Sequence, residues 1–189
     1  MAKIGLKGLT YAVISSGGNG AAVTYTGGAT QADLMIGADV SFETEKVKQH
    51  ADNHVVESAN GMTGGSISLE LADLPDAIKG KILGCVVSGK VATFTEDESP
   101  YVGFGYIVGK IAAGTKSYVG YWYPKVQFSL DSDNARTKGE STEFQSENLT
   151  GEILGVITTT GGKVEYYYTD TDSTESAVRT WLNGKAGIS

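Results

Sequence analysis

Cysteine is all but missing from this sequence. Cys85 is the single one in 189 residues, so no internal disulfide can brace the fold. It follows an apolar run of helical spacing and is expected to be a buried structural thiol rather than a nucleophile, which suits folding in a reducing cytoplasm. Proline is scarce as well, at 3 against 26 glycines. The glycines keep no three-residue period, which excludes a collagen-like rod and favours a β-rich chain with many turns. No apolar run approaches the roughly 20 residues that a membrane-spanning helix needs. Gly5 and Gly8 interrupt the apolar patch at the start of the chain, which reads as a first strand and not as a signal peptide. Positive charge is also in deficit: 15 Lys and Arg face 22 Asp and Glu, for a formal net charge of -7. That balance argues against a protein that grips nucleic acid, although a like-charged wall beside a phosphate backbone remains physically sensible.

Chemistry-bearing side chains are present without forming a motif. His50 and His54 stand four apart, but Ala51-Asp52-Asn53 between them is turn-like and no cysteine or third histidine joins them. The glycine clusters at 17–20, 27–28 and 64–65 lack a phosphate-loop ending, and no G-x-S-x-G occurs. Glu96-Asp97-Glu98 and the pair Asp131 and Asp133 supply carboxylates, which a soluble surface needs as much as a glycosidase does. No catalytic, cofactor-binding or metal-ligating set is expected, and the chain reads as a non-enzyme.

What is abundant is alternation. Pro124, Val126, Phe128 and Leu130 point one way and Lys125, Gln127, Ser129 and Asp131 the other, which predicts a half-buried antiparallel strand. Val126, Phe128 and Leu130 are its expected core anchors. After turn residues at Ser132 to Asn134, a more polar strand is predicted from about Thr137 to Thr150, carrying Glu140, Glu143 and Glu147 with Phe144 as its apolar anchor. Upstream, strands are predicted at Gly8 to Ser15, Ala22 to Thr26 and Gly37 to Lys48. In the last of these, Glu43 and Glu45 face away from Val40 and Phe42. Gln49 to Gly65 is polar with turn residues at Asp52-Asn53 and Asn60-Gly61, and leads into Ser66 to Ala72, where Glu70 opposes Ile67, Leu69 and Leu71. Such a hairpin, about residues 46–65, is a candidate arm for a neighbouring subunit through Lys48, His50, Asp52, Asn53, His54 and Glu57.

A helix is predicted to open at Asp73-Leu74-Pro75-Asp76, to bury Leu74, Ile78 and Ile82, and to stop at Gly84. Strands follow at Val91 to Thr95, Tyr101 to Ala112, Ile153 to Ile157 and Lys163 to Thr169. A final helix is predicted with Asp172 as N-cap, Val178, Trp181 and Leu182 as its apolar stripe, and Gly184 as its end. The expected architecture is mainly β, an antiparallel sandwich of two packed sheets with one or two flanking helices, in a single domain over 1–189.

The segments Tyr121 to Leu130 (YWYPKVQFSL), Thr137-Lys138-Gly139-Glu140-Ser141, Glu143-Phe144-Gln145, Ala51-Asp52-Asn53 and Gly64 to Leu69 carry a family likeness. They resemble the major tail protein, the tail-tube subunit, of long-tailed phages infecting Gram-positive bacteria. These are packing and turn motifs, and the likeness covers most of the chain. The resemblance implies hexameric rings of this chain stacked into a hollow tube around a tape-measure protein and closed by a tail-terminator protein. It further implies a tube that conducts viral DNA, assembly in the host cytoplasm and residence in the virion, with no membrane and no cofactor. The Ig-like domain that some relatives append is not expected. Under this reading Glu43, Glu45 and Glu70 are candidate lumen-facing acids. The alternative is a carbohydrate-binding or surface-recognition β-sandwich with Tyr121, Trp122 and Tyr123 as its stacking platform.

Overall fold

The computed structural model describes residues 2–31, 34–51, 54–89, 91–94, 98–132 and 146–188, with the backbone alone at 47–51, 54–59 and 131–132. In chain order the elements are β1 (Ala2–Ser16), β2 (Thr24–Gln31), β3 (Met35–Ala51), β4 (His54–Leu71), α1 (Asp76–Ile82), β5 (Val86–Ser88) and β6 (Val91–Thr93). They continue with β7 (Tyr101–Ala112), β8 (Thr115–Ser132), β9 (Glu147–Ile153), β10 (Tyr168–Asp172) and α2 (Glu175–Ala186). The fold is mainly β and antiparallel with two helices, as the alternation predicts.

One eight-stranded sheet runs β2-β1-β7-β8-β9-β4-β3, with β10 added beside β8, while β5 and β6 form a separate hairpin. Strand β8 is the hub. It pairs with β7 on one side and, on the other, with β10 over Tyr118 to Trp122 and with β9 over Val126 to Ser132. The sheet curls on itself. Leu9 and Tyr11 of β1 share one buried cluster with Ile67 and Leu69 of β4, although three strands lie between them in the sheet. Val102, Phe104, Val126, Phe128, Leu149 and Ile153 fill the middle of that cluster. Helix α1 closes it with Ile78 and Ile82, preceded by Leu74, and Gly84 ends the helix as expected with a φ of 77°.

A second apolar layer lies on the outer face of one half of the sheet. Val178, Leu182 and Ala186 of α2 pack on Ala12, Ile107 and Trp122. Gly103 and Gly105 make room for this layer, since a Cβ at Gly103 would sit 2.4 Å from Trp122 Cζ2 and one at Gly105 2.9 Å from Leu182 Cδ2. Where other residues would hold helix and sheet apart, glycine admits close approach.

The register of β8 slips between its pairs Phe104↔Tyr123 and Val102↔Val126. The extra residue is accommodated at Pro124-Lys125, a bulge that suits a residue with no N–H to give the ladder. It turns parity over, so that Tyr123 and Phe128 both face the core despite their odd and even numbers.

Several boundaries differ from the sequence reading. Leu130, expected as a core anchor, is 39% exposed. Strand β7 begins opposite Gln127, so β8 has no β7 neighbour at Leu130 and the core stops short of it. Lys163 to Tyr167 is not strand apart from a bridge at Glu165, and β10 starts at Tyr168. The N-cap of α2 is Thr174; Asp172 Oδ1 accepts hydrogen bonds from Thr174 N at 2.9 Å and Thr174 Oγ1 at 3.1 Å, one step before the helix. Gly187, with φ at 68°, ends α2, and Gly184 lies inside it. The left-handed conformation a C-cap needs decides between the two glycines. The expected positions of Glu140, Glu143 and Phe144 lie outside the described residues, and β9 begins at Glu147, whose carboxylate meets Lys79 Nζ of α1 at 3.0 Å.

A polar sheet face and a protruding ribbon

Helix α2 covers only the half of the sheet around β1, β7, β10 and the first part of β8. On the other half the outward side chains form rows across four strands. Asp39, Ser68, Thr150 and Ser129 stand in register in one row, and Ser41, Ser66, Glu152 and Gln127 in the next. Gly37, Glu70 and Asn148 make a third. Alternation forces this composition. With Ala38, Val40, Ile67, Leu69, Leu149 and Phe128 turned to the core, their neighbours must turn to solvent.

The face is hydrogen-bonded within itself. The hydroxyls of Ser41 and Ser66 meet at 2.8 Å, Ser146 Oγ donates to Glu70 Oε1 at 2.8 Å, and Gln127 Nε2 donates to Ser99 O at 2.9 Å. A shallow hollow of about 360 Å³ crosses it, bordered by Ser66, Gln127, Ser129, Thr150 and Glu152. Among the described residues the face carries Asp39, Glu43, Glu45, Glu70 and Glu152; its cation is Lys125, at the margin, with its ammonium 4.1 Å from the ring centre of Tyr101. Glu43, Glu45 and Glu70 are exposed. Glu43 and Glu45 share strand parity, and Glu70 lies on the same outward side. Asn148, Thr150 and Glu152 complete the surface. Their signal was the opposing series Leu149, Gly151 and Ile153, which a strand boundary at Thr150 cuts through.

Beyond Gly65 the strand β4 leaves β9, yet its pairing with β3 continues through Thr44↔Met62, Lys46↔Asn60, Lys48↔Ser58, Gln49↔Glu57 and His50↔Val55 to Ala51↔His54. At about 3.4 Å per residue this two-stranded ribbon extends roughly 25 Å past the sheet. A register shift between Glu43 and Thr44 marks its root, where Phe42 stacks on Tyr167 at 5.0 Å and Tyr166 Oη donates to Met62 O at 2.9 Å. Lys48, His50, His54 and Glu57 thus belong to the ribbon by backbone pairing. Their side chains, and Asp52 and Asn53 entirely, lie outside the described residues. The histidines are on paired strands, so the one-face-of-a-helix geometry that their spacing suggests does not arise.

The remaining candidates are structural. Cys85 is buried and free. Trp122 and Tyr123 are 1% and 2% exposed, which removes them from any stacking platform with Tyr121. Burial raises the pKa of the Tyr123 hydroxyl, which lies 3.3 Å from that of Tyr106. Val126 and Phe128 are 0% and 1% exposed. Among the described residues no group of histidine, cysteine, aspartate and glutamate is placed to hold a metal, and no helix is long and apolar enough to cross a membrane.

No curated protein matched the sequence. The sequence profile of one family, described as phage tail tube protein, matches residues 1–178, nearly the whole chain. A curled antiparallel sheet with one uncovered polar face is the kind of part from which a wall is built, and the chain belongs to the phage tail tube protein family, a structural component of the phage tail.

Proposed function

We propose that this chain, acting as one unit over 1–189, assembles into hexameric rings that stack as the wall of a phage tail tube, with the polar face of β3, β4, β9 and β8 turned to the bore. The observation that carries the reading is that face. Half of the sheet is buried on both sides, whereas this half is left bare, hydroxyl-rich and acidic. An acidic surface repels the phosphates of passing DNA, and several of its donors (Ser41 or Ser66, Gln127, Ser129 and Ser146) are already engaged by the protein itself. Glu43, Glu45 and Glu70 are the lumenal acids in this reading. The ribbon about residues 46–65 reaches a neighbouring subunit, and unpaired edges of the sheet are closed by other copies. A tape-measure protein occupies the bore before DNA does, a tail-terminator protein ends the tube, and assembly takes place in the host cytoplasm.

Reversal of the three acids tests it. Glu43→Lys/Glu45→Lys/Glu70→Lys protein is expected to form tubes that retain DNA at low salt and release it steeply as salt rises, as counterion release requires. Tubes of normal appearance with no new affinity for DNA at low salt would place these acids on an outer surface and overturn the assignment of the bore.

A further inference from the structure

Opposite the polar face's free end, strands β1, β7 and β8 finish together around the turn Ala113-Gly114, and four lysines gather there on a chain whose net charge is negative. Lys3 stands directly across from Lys110 on one face of the sheet, whereas Lys116, paired with Ile111 in the next row, and Lys7, paired with Ile107, belong to the other face. Lys7, Lys110 and Lys116 border one cavity of about 160 Å³ together with Ile4, Gly109 and Tyr118. Only Lys7 is neutralised, by Glu175 at 2.8 Å; Lys3, Lys110 and Lys116 make no ion pair with any described residue. The acids nearest this end are committed elsewhere, Glu175 to Lys7 and Arg179 and Asp172 to the start of α2. Like charges directly opposite on paired strands repel, so the Lys3↔Lys110 pair costs the isolated subunit stability and is relieved by an anion brought to this end.

The other end of β8 has the complementary character. There β4 finishes at Leu71 beside Glu147 of β9, and Asp73, Asp76 and Glu98 stand exposed on the segments that follow β4 and precede β7. Val87 of the β5–β6 hairpin packs near Gly80 of α1, while Val86 and Val91 of that hairpin are 59% and 62% exposed. Ile4, 42% exposed, offers the lysine end an apolar spot of its own. Among the described residues, the cations near this second end are engaged: Lys79 meets Glu147, Lys81 donates to Gly27 O, and Lys125 lies over the ring of Tyr101.

We propose that the lysine-lined hollow is the socket for the acidic end of a second copy of this chain, so that copies dock head to tail along the strand direction. The proposal rests on the reading of the chain as a tube subunit and names the contact between successive rings. A head-to-tail contact uses two different patches and leaves each copy with one of each unused, so it propagates without closing on itself. Opposed charge fixes the polarity of stacking, because lysine end on lysine end is repulsive.

Three variants of the full chain test this: Lys110→Glu/Lys116→Glu, Asp73→Lys/Glu98→Lys, and the four together. Sedimentation and negative-stain microscopy at low salt are expected to show that either pair raises the concentration needed for polymers at least about tenfold. The fourfold swap is expected to restore polymers. Melting curves identify any pair that unfolds the subunit, and for such a pair the glutamine versions at Lys110 and Lys116 or at Glu98 are read instead. Wild-type polymers with both pairs polymerising equally well overturn the contact, as does a folded fourfold swap that stays dispersed. Wild-type protein that never polymerises overturns the tube reading itself.

Discussion

Two halves of one strand make the central comparison in this molecule. From Val119 to Tyr123, β8 is buried on both faces, with Tyr123 in the core and Trp122 under α2. From Lys125 to Ser129 it is buried on one, with Val126 and Phe128 inward and Lys125, Gln127 and Ser129 outward. The two halves share a backbone, a partner strand in β7 and an inner core. They differ in what lies outside them, which is a helix for one and nothing for the other. Double burial replaces alternation with aromatics and, on the facing strand, with Gly103 and Gly105; single burial leaves a clean period of two. The bulge at Pro124-Lys125 separates the regimes and resets parity between them. The polar half is therefore no weaker version of the covered half. It is a sheet face kept free of a covering helix.

The largest expected effect tests the layer both halves share. Phe128 is 1% exposed and meets Phe104 edge-on with ring centres 5.3 Å apart. Phe128→Ala is expected to destabilise the subunit by about 3–5 kcal/mol in denaturant unfolding, since the ring's burial and its cavity are both lost. Near-wild-type unfolding would mean that the inner layer does not hold the polar half together.

A smaller effect tests the layer that only one half has. Tyr25 packs edge-on against Trp122 at 5.4 Å, and a Cβ at Gly103 would come within 2.6 Å of Tyr25 and 2.4 Å of Trp122. Gly103→Ala is expected to cost about 1–3 kcal/mol by overpacking. A loss of indole packing, visible in near-ultraviolet circular dichroism, should accompany it. If the variant unfolds like wild type with an unchanged spectrum, the outer layer is looser than the contact distances say.

Periodicity made the single-sided parts of this fold legible. Phe128, Val126, Ile67, Leu69 and the α1 stripe of Leu74, Ile78 and Ile82 all follow from local spacing, as do the outward Glu43, Glu45 and Glu70. Features that depend on distant neighbours were not legible. Leu130 fits the alternation perfectly well but lies where β7 has not yet begun, a fact of pairing and not of spacing. Gly184 and Gly187 are equal candidates for a helix end until one of them takes a positive φ. Strand β5, only three residues long and half of an isolated hairpin, carries too short a pattern to stand out. Lys3, Lys110 and Lys116 are scattered in sequence, and the register of β1, β7 and β8 alone brings them together. Family likeness bridged part of this gap, because it draws on the whole chain at once.

The ribbon belongs to neither half. Among the described side chains, those of the ribbon beyond Thr44↔Met62 add none to the buried clusters, and its root carries the Phe42–Tyr167 stack and the Tyr166 hydroxyl on Met62 O. Deleting His50 to Ala59 joins Gln49 to Asn60 and leaves the pairs Lys46↔Asn60 and Glu45↔Gly61 to close a short hairpin over the three-residue loop Val47-Lys48-Gln49. Surface changes away from cores, caps and networks fall within about 0.5 kcal/mol, so the melting transition of the shortened subunit should match that of wild type. Polymerisation should be lost, because in the tube proposed above the ribbon is the part that reaches a neighbouring copy. Separating these two readouts is the point of the experiment. A shortened chain that melts normally and still polymerises would strip the ribbon of its assembly role, whereas one that unfolds early would show that the ribbon supports the sheet it grows from.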